Sequence, residues 1–164
     1  MRAELDHIIQ QLSDVQTGKN WMGSSYQKML SKVTPEEVFT RPTSGMHSVA
    51  ELISHLTFWR NEALLKIQNG GGGKTDDDPG NWKDIEALKE KGWQQIQADY
   101  DQSLVDLLDL LKQKDDHFLS STYYDPDFKG DYSFGWLLDG ILHHDIYHLG
   151  QLGLVIKFLK NRPH

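Results

Sequence analysis

The stretch SFGWLLDGILHHDIYHLGQLGLVIKFLK, residues 133–160, opens on a serine suited to capping a helix and then turns apolar nearly all round. Phe134, Leu137, Leu138, Ile141, Leu142, Ile146, Leu149, Leu152, Val155, Ile156 and Leu159 leave it little polar face. It therefore reads as a helix lying inside a bundle of other helices. Lys157, Lys160 and Arg162 suit the negative C-terminal end of that helix.

Working outward, a connection of about twenty residues precedes it, with Asp125-Pro126 and Lys129-Gly130-Asp131 as turn signals. Before that, residues 81–114 predict an amphipathic helix, with Trp82, Ile85, Leu88, Ile96, Tyr100, Leu104, Leu107 and Leu111 on its apolar face. Another helix starts at Ser48-Val49-Ala50-Glu51, a capping box in which hydroxyl and carboxylate each take an orphan backbone N–H. It runs through Leu52, Leu56, Trp59 and Ala63 to Asn69, where glycines 70–73 end it and join it as a plain linker to an acidic loop over 74–80. At the N-terminal side, Leu5, Ile8, Leu12, Val15, Met22, Tyr26, Met29 and Val33 recur at steps of three and four. That spacing predicts one long helix with weak points at Gly18 and Gly23. Thr34-Pro35-Glu36-Glu37 predicts a short extra helix, and Arg41-Pro42-Thr43-Ser44-Gly45 a loop. The four long spans hold about 110 residues, twice the usual helical share, and no run alternates with period two. The fold class is all-α, a four-helix bundle formed by residues 1–164 as a single domain.

Composition narrows the function. A chain of 164 residues, 38% hydrophobic and 25% charged, buries enough surface to fold without a disulfide or structural metal. With no cysteine it has no disulfide, no thiolate ligand and no thiol nucleophile of its own. Its 17 basic against 24 acidic side chains give a net charge of −7 without a Lys/Arg cluster, so no nucleic-acid partner is expected. No segment approaches the roughly 18 uncharged apolar residues of a membrane span, and no membrane partner is expected. Met1-Arg2-Ala3-Glu4-Leu5-Asp6 places acids where a secretion signal needs an apolar run, and a cytoplasmic location is the expectation.

Eight histidines stand at 7, 47, 55, 117, 143, 144, 148 and 164. His144 and His148 lie four apart, so on a helix they differ by about 40° in azimuth and about 6 Å in rise and face the same way. They interrupt a stripe otherwise directed at the core by Leu137, Ile141 and Val155, and Gln151 shares it. Buried imidazoles cost free energy unless satisfied, and a metal ion satisfies both; the pair makes half of a zinc site. The residues alone leave the third ligand open among His55, His47 and Asp145. His143 is about 140° from His148 and cannot replace His144. His7, near a chain end, and His117 and His164 read as solvated, and the acids at 76–78 as a solvated loop without an EF-hand pattern.

Thr34-Pro35-Glu36-Glu37 through Arg41-Pro42, then His47-Ser48-Val49-Ala50-Glu51-Leu52-Ile53-Ser54-His55-Leu56-Thr57-Phe58-Trp59, and finally His144-Asp145-Ile146-Tyr147-His148-Leu149-Gly150-Gln151-Leu152, together resemble the DinB/YfiT superfamily in order and spacing. The resemblance implies a four-helix bundle of up-down-down-up connectivity, often a homodimer. It implies a divalent metal, zinc or nickel, held near one end by three histidines, which here become His55, His144 and His148. Three neutral imidazoles leave coordination positions open, the arrangement of a catalytic site. Gln151, Asp145 or a backbone carbonyl is expected to orient the rings. Trp59, Tyr147, Gln151 and His47 are the expected lining of a small-molecule pocket, with Trp136 nearby, against the plainer reading of the aromatics as core.

Similar family members include bacillithiol- and mycothiol-dependent S-transferases and isomerases. The resemblance therefore implies a metal-dependent transfer of a low-molecular-weight thiol, such as bacillithiol, to an electrophile in detoxification or stress. A bound cation stabilises a thiolate and so supplies the nucleophile this chain lacks. The alternatives are a metal-dependent hydrolase, using activated water, and a non-catalytic metal-binding stress module.

Overall fold

The computed structural model describes residues 2–161, so Arg162 and His164 lie outside the described residues. Its elements run α1 (Ala3–Gln16), α2 (Tyr26–Leu30), α3 (Val49–Asn69), α4 (Ile85–Lys91), α5 (Trp93–Leu111), α6 (Asp116–Ser120), β1 (Thr122–Asp125), β2 (Gly130–Ser133) and α7 (Phe134–Lys160). α1, α3, α5 and α7 are the four long helices of a bundle, with α3 packed against both α5 and α7.

Both expected helix starts are present. Ser48 accepts from the Glu51 amide while the Glu51 carboxylate accepts from the Ser48 amide at 2.8 Å, closing the capping box. Ser133 caps α7 by accepting from Trp136 N–H at 3.1 Å. α3 stops where Gly70 takes φ +70°, a conformation that other residues adopt at a cost.

The expected first helix is split. α1 ends at Gln16; beyond it the Asn20 side chain donates to the Asp14 carbonyl at 3.0 Å, and Gly18 packs so close to Asp14 that a Cβ there would stand 2.1 Å from Asp14 Oδ1. The chain resumes a helix only at Tyr26. The short helix expected after Thr34 is instead a series of turns over 35–39, tied by the Glu37 carboxylate to the Thr34 amide at 2.9 Å. The expected helix over 81–114 is shorter and broken in two. Asp84 caps α4, and Gly92, at φ +81°, ends it and redirects the chain into α5.

The long connection before α7 holds a feature the periodicity did not show. β1 and β2 form an antiparallel hairpin with Tyr123 opposite Tyr132 and Thr122 opposite Ser133. Asp125 organises its turn, accepting from the amides of Asp127 and Phe128 at 3.0 and 3.2 Å. Gly71 of the glycine run bridges to Tyr124, so that run docks against the hairpin instead of only joining helices.

The core is one cluster, with Leu12, Leu52, Ile53, Leu56, Leu107, Leu138 and Leu152 inaccessible or nearly so. α7 supplies much of it but is not enclosed on all sides, since Trp136, Tyr147, Leu154 and Phe158 remain exposed along one stripe. No helix of the described chain is long and apolar enough to cross a membrane.

Candidate metal centre

His55 projects from α3, and His144 and His148 from successive turns of α7. Their nitrogens converge: one ligand atom from each lies within 4.8 Å of the other two. The closest pair, Nε2 of His55 and Nε2 of His144, are 3.0 Å apart. Nitrogens about 2 Å from a single zinc in tetrahedral array stand roughly 3.3 Å from one another, so the spacing suits one shared cation.

The far sides of two rings are already committed. His148 Nδ1 lies 2.7 Å from Gln151 Oε1, and His55 Nδ1 lies 3.2 Å from the Asn81 carbonyl. An oxygen of either kind only accepts here, so Nδ1 carries the proton and Nε2 keeps its lone pair toward the shared point. Burial disfavours the imidazolium at all three sites. His55 is held down to about 4 by burial and by the neighbouring His148, and His144 to about 3 by burial, His148 and His55. His148 is lowered by burial as well, against the opposing hydrogen bond to Gln151. Three neutral nitrogen donors, two of them oriented by hydrogen bonds on their far sides, fit a divalent cation.

Two further residues build the site without having been expected there. Asn81, in the loop before α4, holds His55 through its carbonyl, while its side chain accepts from Trp59 Nε1 at 2.9 Å and donates to the Asp76 carbonyl at 2.9 Å. Trp82 slots between two imidazoles, parallel to His47 and to His55 with 3.8 Å between centroids in each case. In the sequence Trp82 counts only as one apolar position of a long helix; the helix begins only at Ile85, which leaves Trp82 in the preceding loop, facing the histidines.

The expected pocket residues fall around this centre. His47, Trp59, Tyr147 and Gln151 line one cavity of about 540 Å³ together with the three histidines, Trp82, Phe128 and Trp136. Its size is that of a small-molecule site. Trp59 is half-buried and serves to hold Asn81, whereas Tyr147 is 63% exposed at the rim, 4.9 Å from the His148 ring. His47 stands at the lip, half-exposed, with Nδ1 3.5 Å from Glu51 Oε1. Glu51 is held near 2 because hydrogen bonds from Arg41 and Ser48 outweigh its burial. Asp145, a candidate ligand and orienting group by sequence, does neither: it is fully buried, turned about 100° around α7 from His144, and paired with Arg60 at 2.7 Å. Lys66 and Asp125 line the far end of the cavity, paired at 2.8 Å.

A helical bundle carrying a largely buried three-histidine cluster in the wall of an aromatic-lined cavity is the class this fold and site define. A family model described as the DinB superfamily matches residues 20–152, and the chain belongs to that superfamily. Among solved structures the chain is similar to YfiT from Bacillus subtilis, described as a probable metal-dependent hydrolase with an unusual four-helix bundle topology. That likeness has a TM-score of 0.68 at 14% identity and covers 96% of this chain and 88% of that one. It is also similar to a conserved protein from Enterococcus faecalis, with a TM-score of 0.63 at 14% identity over 99% of both chains. At such identity the likeness concerns the fold. No curated protein sequence matches the chain.

Proposed function

We propose that the chain is a metal-dependent S-transferase that joins a low-molecular-weight thiol to a small electrophile. The carrying observation is that His55, His144 and His148 converge at the wall of a largely aromatic cavity in a chain with no cysteine of its own. A divalent cation held there supplies Lewis acidity that makes an incoming thiol nucleophilic near neutral pH. The protein's own groups do the rest. Gln151 and the Asn81 carbonyl hold two rings in the ligating tautomer. Trp59, Trp82, Phe128 and Trp136 exclude water and present flat apolar surface to the electrophile. The thiol proton is released to water as the sulfur–carbon bond forms and the leaving group departs with its electron pair, while His47, across Trp82 from His55, lines the lip.

A hydrolytic reading draws on one observation, the description of YfiT as a probable metal-dependent hydrolase. Zinc- or nickel-loaded protein incubated with bacillithiol and a chromogenic aryl halide, beside a panel of esters, amides and phosphoesters, separates the two. Thiol conjugation well above that of His148→Ala supports the transferase; equal rates with turnover of the panel move the assignment to hydrolysis.

A further inference from the structure

Behind the three histidines lies a second polar cluster that lines no part of their cavity. Arg60 on α3, five residues after His55, and Asp145 on α7, next to His144, are both 0% exposed. Arg60 Nη2 and Nε donate to Asp145 Oδ2 at 2.7 and 3.2 Å. The same Nη2 reaches Gln16 Oε1 of α1 at 3.3 Å and the Tyr100 hydroxyl of α5 at 3.2 Å, and the guanidinium sits 4.4 Å over the Tyr100 ring. From α2, the Tyr26 hydroxyl donates to the Asp145 backbone carbonyl at 2.7 Å. Five helices thus meet at one ion pair.

Stability alone is a poor reason for such a pair. Desolvating two charges cancels much of their attraction, and apolar residues of similar volume commonly do as well or better. Here two buried atoms, Arg60 Nη1 and Asp145 Oδ1, have no hydrogen-bond partner among the described residues, which adds to the cost. What an ion pair does better than an apolar contact is to select one register. Asp145 sits between the two α7 histidines, one residue from His144 and three from His148. Fixing Asp145 therefore fixes the rotation of α7 at the level where both rings leave the helix. Rotation matters steeply, because an imidazole nitrogen about 7 Å from the helix axis moves about 2 Å for a 15° turn. Metal–ligand distances tolerate about 0.2 Å.

We propose that the Arg60–Asp145 pair is the positioning device of the metal centre, locking α7 against α3 so that His144 and His148 aim at the same point as His55. The inference rests on the metal-binding reading above. Co(II) titration of the full chain, followed by visible absorption, tests it, with denaturant unfolding of the metal-free protein alongside. In Arg60→Met/Asp145→Leu both charges go and apolar volume stays. The double variant is expected to unfold at or above the wild-type midpoint yet to bind Co(II) about 10–100-fold more weakly, with an altered ligand-field spectrum. Tyr26→Phe, which removes only the hydroxyl holding the Asp145 carbonyl, is expected to stay folded and bind Co(II) about fivefold more weakly. Wild-type affinity and spectrum in the double variant overturn the proposal; should that variant fail to fold, wild-type affinity in Tyr26→Phe overturns it. Failure of the wild-type protein to bind Co(II) at all instead removes the metal-binding reading, and this inference with it.

Discussion

Gln151→Ala removes the acceptor on the far side of His148 while leaving all three imidazoles in place. The side chain is half-buried, and its Oε1 lies 2.7 Å from His148 Nδ1. Without that oxygen nothing favours the Nδ1–H tautomer, and the proton competes for Nε2, the nitrogen aimed at the shared point. The ring also gains freedom to turn. One hydrogen bond of this kind contributes about 1–1.5 kcal/mol, and each 1.4 kcal/mol is tenfold in affinity, so zinc binding should weaken by about tenfold. Losses of about 10–100-fold are typical when such supporting partners are removed. His148→Ala, which deletes a ligand, should be much worse. Gln151→Glu, which supplies a charged acceptor in the same place, should bind at least as tightly as wild type. Competition against a chromophoric chelator at pH 7.5 gives all four affinities. Zinc affinity within twofold of wild type in Gln151→Ala would refute the tautomer argument. Equality of Gln151→Ala with His148→Ala would show Gln151 to be a ligand itself.

Metal-free protein should lose stability as pH falls below about 6.5. Burial holds the folded-state values of His55 near 4 and His144 near 3, against 6.5 for free imidazole, so the unfolded chain takes up protons that the folded one refuses. Their contribution is full above 6.5 and declines toward pH 4 by up to about 1.4 kcal/mol per pH unit for each group; denaturant midpoints at pH 7.5, 6 and 5 measure it, and the decline should shrink in His55→Leu. Ser48→Ala should cost about 1 kcal/mol by opening the capping box at the start of α3, read as a lower thermal midpoint. Gly92→Ala should cost more than about 1 kcal/mol, because φ +81° is strained for alanine; an unchanged midpoint would mean that the α4–α5 junction relaxes freely. Leu138→Ala, at a fully buried position of α7, should cost about 2–5 kcal/mol in calorimetric or denaturant unfolding.

The parts of the molecule legible in its sequence are those whose signal is local. Ser48 with Glu51, and Ser133 before a long apolar run, announce helix starts because capping depends on residues three apart. His144 and His148 declare a shared face through helical spacing alone, although the third histidine came from family resemblance, its own spacing being ambiguous. Where helices end was harder to read. Gly92 lies within a continuous apolar periodicity, and only its left-handed backbone shows that the period belongs to two helices. Asn81 and Trp82 were illegible as site residues for a different reason: they reach His55 across 26 and 27 positions of chain, and their role exists only once the loop folds back over α3. The hairpin left a faint trace in the aromatic pairs Tyr123-Tyr124 and Tyr132, too short for a periodic pattern. Asp145 adjoins His144 in sequence, but adjacency on a helix means about 100° of rotation, which sends it to Arg60 instead of the metal site.

The indole of Trp82, pressed flat between His47 and His55, has a use in the laboratory. Any ion that draws electron density from the His55 ring alters the surroundings of an excited indole stacked against it. The protein thus carries an intrinsic fluorophore at the occupancy-sensing position, and emission from the native chain, compared with Trp82→Phe, reports filling of the site without an added dye.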